Sequence, residues 1–275
     1  MTTLPTLTLR DGLTMPQLGF GVFQVPDDQA QQAVESALEA GYRSIDTAMI
    51  YGNEHGVGRA LAASGIARED LFVTTKLWID DHGRGAARPA LEASLERLGL
   101  ASVDLYLIHW PAPATDVYLQ TWQGFEDLRA AGLTRGIGVS NFLPEHLDRV
   151  VGLGGAVPAV NQIELHPALQ NRETVAANAA LGIATEAWSP LAQGAVLGEA
   201  PVVEAAAAHG VSAAQVVLRW HLQHGNIVIP KSVTPARIAA NLDVLDFTLS
   251  EAEMAAIDAL DRGQRTGPHP AEFNG

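Results

Sequence analysis

The chain has 275 residues, 47% of them hydrophobic, enough for one large domain with a sizeable buried core. Its 17 basic and 31 acidic residues give a net charge of -14, and a surface of that sign repels a phosphate backbone, which argues against general nucleic-acid binding. Cysteine is absent, which excludes disulfides, thiolate metal sites and cysteine nucleophiles, and no apolar run approaches the roughly 20 residues of a membrane span.

The opening segment, MTTLPTLTLRDG, has no charged region followed by an apolar one, so a cytoplasmic protein is expected. Thr6–Leu9 and Thr14–Pro16 flank the turn signal Asp11-Gly12 and predict a hairpin. Leu18–Val22 is short, apolar and glycine-rich, and reads as a buried strand. Asp27 and Asp28 are expected to cap a helix with Ala33, Val34, Ala37 and Leu38 on one face, and Gly41 ends it. From there strand and helix alternate. Further strands are predicted at Arg43–Asp46, Leu71–Lys76, Asp104–His109, Gly136–Val139, Ala159–Ile163, Ile183–Ala187 and Asn226–Ile229. Helices are predicted at Gly56–Ala63, Pro89–Leu98, Tyr118–Ala131, Pro144–Val151, Glu173–Ala180, Ser212–His224 and Pro235–Leu242. Pro201–His209 and Ser250–Leu260 read as additional helices outside the alternation.

Repeated βα units imply parallel strands joined by helical crossovers. Eight of them in one chain of 275 residues predict a closed (β/α)8 TIM barrel. No linker composition or charge run divides the chain, so residues 1–275 read as a single domain. An open dinucleotide-binding sheet would carry G-x-G-x-x-G after its first strand. Gly19-Phe20-Gly21 lacks the third glycine, and Gly136-Ile137-Gly138 continues into Val139-Ser140-Asn141.

A parallel barrel gathers all strand C-termini on one face, where barrel enzymes keep their chemistry. Asp46, Lys76 and His109 end three successive predicted strands, and Tyr51 lies on the loop after the first of them. Lys76 and Lys231 are the only lysines. A phenol of pKa roughly 10 is a weak acid, and a nearby ammonium makes it stronger. Lys76 can supply that charge, Asp46 can hold Lys76, and His109 can orient a carbonyl. The set suits protonation of an oxygen that gains negative charge as a carbonyl accepts hydride. It does not suit metal hydrolysis, because only His166 offers itself as a third ligand. A Schiff base on Lys76 and a non-catalytic nucleotide sensor are the competing readings.

Pro230-Lys231-Ser232-Val233-Thr234 leads into a helix with Arg237 one turn in, an arrangement that suits a phosphate after the eighth strand. Trp78, Trp110 and Trp188 fall at or just past strand ends, and with Phe23 can wall a pocket. Trp122 and Trp220 sit mid-helix, as core residues do.

Three segments, GYRSIDTAMIYGNEHGVG at 41–58, RGIGVSNF at 135–142 and IPKSVTPARIAAN at 229–241, give the chain a close resemblance to the aldo-keto reductases. The likeness runs over almost the whole chain. Within that family, DLYLIHWP, VPAVNQIELHP and VLRWHLQHG resemble bacterial 2,5-diketo-D-gluconate reductases. The resemblance implies an NADPH-dependent carbonyl reductase with the tetrad Asp46, Tyr51, Lys76 and His109, in which Tyr51 donates the proton. It implies that Ser140, Asn141 and Gln162 hold the nicotinamide amide and Trp188 stacks on its ring. Ser189 and Leu191 lie in a loop beside the pyrophosphate, Lys231, Ser232 and Arg237 take the adenosine 2′-phosphate, and Asn241 meets the adenine. Phe23, Trp78, His109 and Trp110 are then the substrate contacts. The expected partner is a small carbonyl compound, with no membrane, no metal and a monomeric state. Thr234 and Ala240 depart from the family pattern, and both departures remove contacts to the adenosine end.

Overall fold

The structure, a computed structural model, describes residues 4–275. It opens with an antiparallel hairpin of β1 (Thr6–Thr8) and β2 (Thr14–Pro16). At the turn, Asp11 Oδ1 accepts from the Leu13 amide at 3.2 Å, and Gly12 takes a φ of 87°, a left-handed value that a β-carbon disfavours.

Eight parallel strands follow: β3 (Phe20–Gly21), β4 (Ser44–Asp46), β5 (Phe72–Leu77), β6 (Val103–Ile108), β7 (Thr134–Ser140), β8 (Val160–Glu164), β9 (Ala184–Trp188) and β10 (Ile227–Val228). Each pairs with the next in chain order. The ring closes where the amide of Gly19 donates to the Val228 carbonyl at 2.8 Å and that of Gly21 to the Pro230 carbonyl at 3.2 Å. This is the predicted (β/α)8 barrel with its N-terminal hairpin. The seam is tight. A β-carbon on Gly21 would lie 3.0 Å from the Ile229 carbonyl oxygen, so a larger residue would press the two chains apart by a few tenths of an ångström. The ladders there are also short, two residues each, where the sequence predicted strands at Leu18–Val22 and Asn226–Ile229.

The helices are α1 (Asp27–Ala40), α2 (Glu54–Ala63), α3 (Ala87–Leu98), α4 (Tyr118–Ala130), α5 (Pro144–Val151), α6 (Arg172–Ala180), α7 (Ala200–His209), α8 (Ala213–Gln223), α9 (Pro235–Leu242) and α10 (Glu251–Asp258). Helices α7 and α10 are the two predicted outside the alternation. The cap expected from Asp27 and Asp28 is not made. Pro26 stands before α1, and Asp27 instead accepts from the Gly56 amide in the first turn of α2 at 2.6 Å and from Arg59 at 3.0 Å. That carboxylate satisfies a free helix N-terminus in α2, with the dipole in its favour.

Two cores result. Between strands and helices lie outward residues such as Ile45, Val73, Tyr106, Val139 and Ile163, with Val34, Leu91, Trp122 and Trp220 from the helices. Inside the barrel, Phe72, Leu105, Leu107, Val160 and Ile227 meet Leu9 and Met15 of the hairpin, which plugs the N-terminal end. Side chains alternate along a strand, so the inward rows continue as Phe72–Thr74–Lys76, Leu105–Leu107–His109, Val160–Gln162–Glu164 and Ala184–Glu186–Trp188. The interior is therefore apolar at the bottom and polar towards the C-terminal mouth.

Candidate active site at the C-terminal mouth

Asp46 is the last residue of β4, and Lys76 lies one short of the end of β5. The Lys76 ammonium donates to Asp46 Oδ1 at 2.6 Å and to the Thr47 carbonyl at 2.9 Å, with the lysine side chain wholly buried. Burial alone would lower its pKa. The Asp46 carboxylate overrides burial and holds the Lys76 pKa above its usual value, so the group is charged. Two of its three N–H bonds are committed, and the third is free.

Tyr51 ends a short 3-10 turn, Met49–Tyr51, closed by Gly52 at φ 66°. Its ring centroid is 5.2 Å from Lys76 Nζ. Its hydroxyl lies 3.5 Å from His109 Nε2, at the far end of hydrogen-bond range. The sequence reading expected a strengthened phenol. In the structure, burial outweighs Lys76 and pushes the Tyr51 pKa up to about 12. Lys76 still opposes that rise, so its service to Tyr51 is to offset desolvation. Burial, followed by the Lys76 charge, drives the His109 pKa well below its usual value, so the imidazole is neutral. His109 Nδ1 is buried without a partner. An unpaired acceptor is the cheaper omission, which puts the ring proton on Nε2, facing Tyr51.

The loops that carry these groups are pinned. Thr47 Oγ1 donates to Asn53 Oδ1 at 2.8 Å, and Asn53 Nδ2 donates to the carbonyls of Val22 and Val25 at 2.9 and 2.8 Å. Those bonds fix Phe23, whose ring packs 5.0 Å from that of Tyr51 and is 52% exposed. Trp78 lies 5.2 Å from the His109 ring. Trp110 is buried, and its half-buried partner is Phe273, at 4.5 Å. Phe273 also lies 6.1 Å from Trp78, so a C-terminal aromatic completes the wall begun by the predicted substrate contacts.

The predicted cofactor residues follow along the ends of β7 to β10. Asn141 takes a left-handed φ of 64°, and its amide donates to the His109 carbonyl at 2.9 Å and to Ser140 Oγ at 3.0 Å. Trp188 Nε1 donates to Asn141 Oδ1 at 2.8 Å, tying the indole to that amide. Gln162 lies one strand over, with its amide nitrogen on Asp46 Oδ2 at 2.9 Å. The next loop is strained: Ser189, Ala192 and Gln193 have φ of 47°, 49° and 54°, and Leu191 sits among them. Such backbone costs on the order of 1–3 kcal/mol per residue and is kept where a ligand site fixes the loop. Lys231 and Arg237 are exposed at the start of α9, and among the described residues neither forms an ion pair. Ser232 Oγ accepts from the Thr234 amide at 3.1 Å, and Asn241 is buried on the same helix. Amide groups beside the tetrad, a tethered indole and free cations at a helix N-terminus form a donor set that fits a phosphorylated nicotinamide dinucleotide.

His166 is taken up by a carboxylate. Its Nε2 pairs with Glu164 Oε1 at 3.2 Å, and among the described residues no three metal-binding side chains converge. Three contributors escaped the sequence reading. Glu164 anchors the C-terminal tail, accepting from the Thr266 hydroxyl at 2.7 Å and the Gly267 amide at 3.3 Å. Gly267 then lies so close to Trp188 that a β-carbon would sit 2.5 Å from its ring. Phe273 follows on that tail. Glu186 is buried inside the barrel, bonded to Gln162. Nothing in the sequence marks Glu164 or Glu186 as facing the barrel interior.

Residues 17–262 match the model of the aldo/keto reductase family. Over 270 residues, 98% of each chain, the sequence is 53% identical to an aldo-keto reductase of Mycobacterium sp. strain KMS. It is 51% identical over 271 residues, again 98% of each chain, to the methylglyoxal reductase DkgA of Escherichia coli K12. Among solved structures, a mutant of Gox0644 in complex with NADPH superimposes with a TM-score of 0.95 at 44% identity, covering 99% of both chains.

Proposed function

The chain belongs to the aldo-keto reductase family, and we propose that it reduces a small carbonyl compound to an alcohol with NADPH, Tyr51 giving the proton. The nicotinamide supplies a hydride to the carbonyl carbon when bound. Tyr51 protonates the carbonyl oxygen as charge builds there, and Lys76 steadies the phenolate left behind. Asp46 keeps Lys76 charged and in place. His109, neutral and protonated on Nε2, orients the carbonyl oxygen towards the phenol. Ser140, Asn141 and Gln162 hold the nicotinamide amide, with Trp188 against its ring. Ser189 and Leu191 line the pyrophosphate, Lys231, Ser232 and Arg237 take the 2′-phosphate, and Asn241 meets the adenine.

The observation that carries this reading is the juxtaposition of the Tyr51 hydroxyl with His109 Nε2 at 3.5 Å over a buried Lys76–Asp46 pair at 2.6 Å. The same pair disfavours a Schiff base, because a Lys76 nitrogen held charged by Asp46 has no lone pair to offer. The aromatic wall of Phe23, Trp78, Trp110 and Phe273 suits keto sugars, dicarbonyls and aldehydes, and the likeness to a methylglyoxal reductase favours dicarbonyls. The protein acts as a cytoplasmic monomer in this reading.

The test uses NADPH deuterated at C4 and a panel of methylglyoxal, a keto sugar and an aryl aldehyde. Deuterium at the carbinol carbon of the product is expected from the correctly labelled face. Consumption of no carbonyl on the panel would overturn the proposal.

A further inference from the structure

One layer below the mouth, a second carboxyl group lies against the proton-delivery set and has no part in the reaction described so far. Glu186 is the middle residue of β9 and is wholly buried. Its Oε2 accepts from Gln162 Nε2 at 2.8 Å, and the same nitrogen donates to Asp46 Oδ2 at 2.9 Å. The two hydrogens of one amide are thus divided between two carboxyl groups. The other oxygen, Glu186 Oε1, has no partner.

Among the described residues no cation pairs with it directly, although the Lys76 charge reaches it. Lys76 is spent on Asp46 and the Thr47 carbonyl. The adjoining strand β8 carries only Glu164, which is held by His166 and the tail, and β10 carries no titratable residue. Across the barrel, the groups that bear on it are Asp46, Lys76 and Tyr51. Outside β9, α6 carries Arg172, paired with Asp261, and Glu173; α8 carries Arg219, bonded to the Val244 carbonyl, and His221, bonded to that of Pro190. A dry carboxylate with one amide bond and no counter-ion is a costly species, and a neutral acid with an idle hydroxyl is much cheaper.

We propose that Glu186 carries a proton in the working enzyme and is a positioning residue: as the neutral acid it leaves Lys76 to Asp46 and Tyr51, and it locks Gln162 with its carbonyl oxygen free for the nicotinamide amide. The proposal rests on the reading of Tyr51 as proton donor. Burial and the Asp46 charge push the Glu186 pKa up to about 8, against the bond from Gln162 and the charge of Lys76. Once ionised, Glu186 adds a negative charge that makes Tyr51 a still weaker acid. Carbonyl reduction then slows as pH rises through about 8.

Two measurements test this. Infrared spectra of the cofactor-free protein are expected to show a carboxylic-acid C=O band at neutral pH that titrates away near pH 8 and is missing from Glu186→Gln. In steady-state reduction, each enzyme scaled to its own plateau, the alkaline limb of the wild type is expected near pH 8 and that of Glu186→Gln at higher pH. Absence of the acid band from the wild type, or an unmoved limb in the variant, overturns the proposal. If Glu186→Gln fails to fold, the wild-type infrared titration decides alone. A Tyr51→Phe enzyme that still turns over would defeat the proton-donor reading instead, and would leave the infrared result standing.

Discussion

Replacing Lys76 by methionine removes one charge from a dry site with little change of shape. The stability cost follows from the pair it breaks. Asp46 would be left buried opposite no cation, a change worth about 3–5 kcal/mol in destabilisation. The catalytic cost follows from distance. Taking the 5.2 Å from the ammonium to the ring centroid as the charge separation, at an effective dielectric constant of about 20, a unit charge steadies a phenolate by about 3 kcal/mol. With each factor of ten worth about 1.4 kcal/mol, kcat should fall by about a hundredfold. Lys76→Met is therefore assayed twice, by urea unfolding and by NADPH consumption with methylglyoxal under conditions where it is folded. A second variant, Lys76→Met with Asp46→Leu, removes the orphaned carboxylate and should regain stability without regaining turnover. A folded Lys76→Met enzyme within about threefold of wild-type kcat would refute the reasoning. So would a double variant that recovers activity along with stability.

Lys231→Ala and Arg237→Ala should each weaken NADPH roughly tenfold to a hundredfold while leaving NADH almost unaffected, since charge-assisted bonds are worth about 1.5–3 kcal/mol; fluorescence titration with both cofactors checks this. Phe273→Ala opens the wall at Trp78 and Trp110 and should raise KM for an aryl aldehyde by about tenfold with little change in Tm, because the side chain buries only part of its apolar surface. Stability should also fall in acid. Burial pushes the His221 pKa down to about 3 and that of His82 to about 4, against roughly 6.5 for an unfolded chain. A depressed folded-state pKa means the contribution is whole above about 6.5 and is lost as pH falls towards 3–4. Urea midpoints at pH 7, 5 and 4 that do not differ would contradict this.

The barrel was legible because each strand reads as an apolar run between helical patterns, and because its end residues carry unusual chemistry. Asp46, Lys76 and His109 were readable for that reason, and the structure brings them together with Tyr51. The inward rows were not legible. Strands buried on both faces do not alternate in hydrophobicity, so Glu186 beside Gln162 had no visible direction. Phe273 was hidden differently. It belongs to a tail without periodicity, and its place depends on the Glu164–Thr266 bonds, made across 102 residues. The Tyr51 phenol shows the limit of charge reasoning from sequence. Proximity of Lys76 was foreseen, but the desolvation that outweighs it belongs to the folded pocket alone. The Asp27 carboxylate was expected on its own helix and is found on α2, since Gly56 lets the two helices touch.

The central claim is that the Tyr51 hydroxyl delivers the proton. Tyr51→Phe removes that oxygen and keeps the ring that packs on Phe23. Single-turnover mixing of the variant with NADPH and methylglyoxal is the most direct measurement. Cofactor binding should persist, seen as fluorescence change, while NADPH oxidation falls by at least about a hundredfold, as loss of a general acid requires. Oxidation at the wild-type rate would contradict the mechanism.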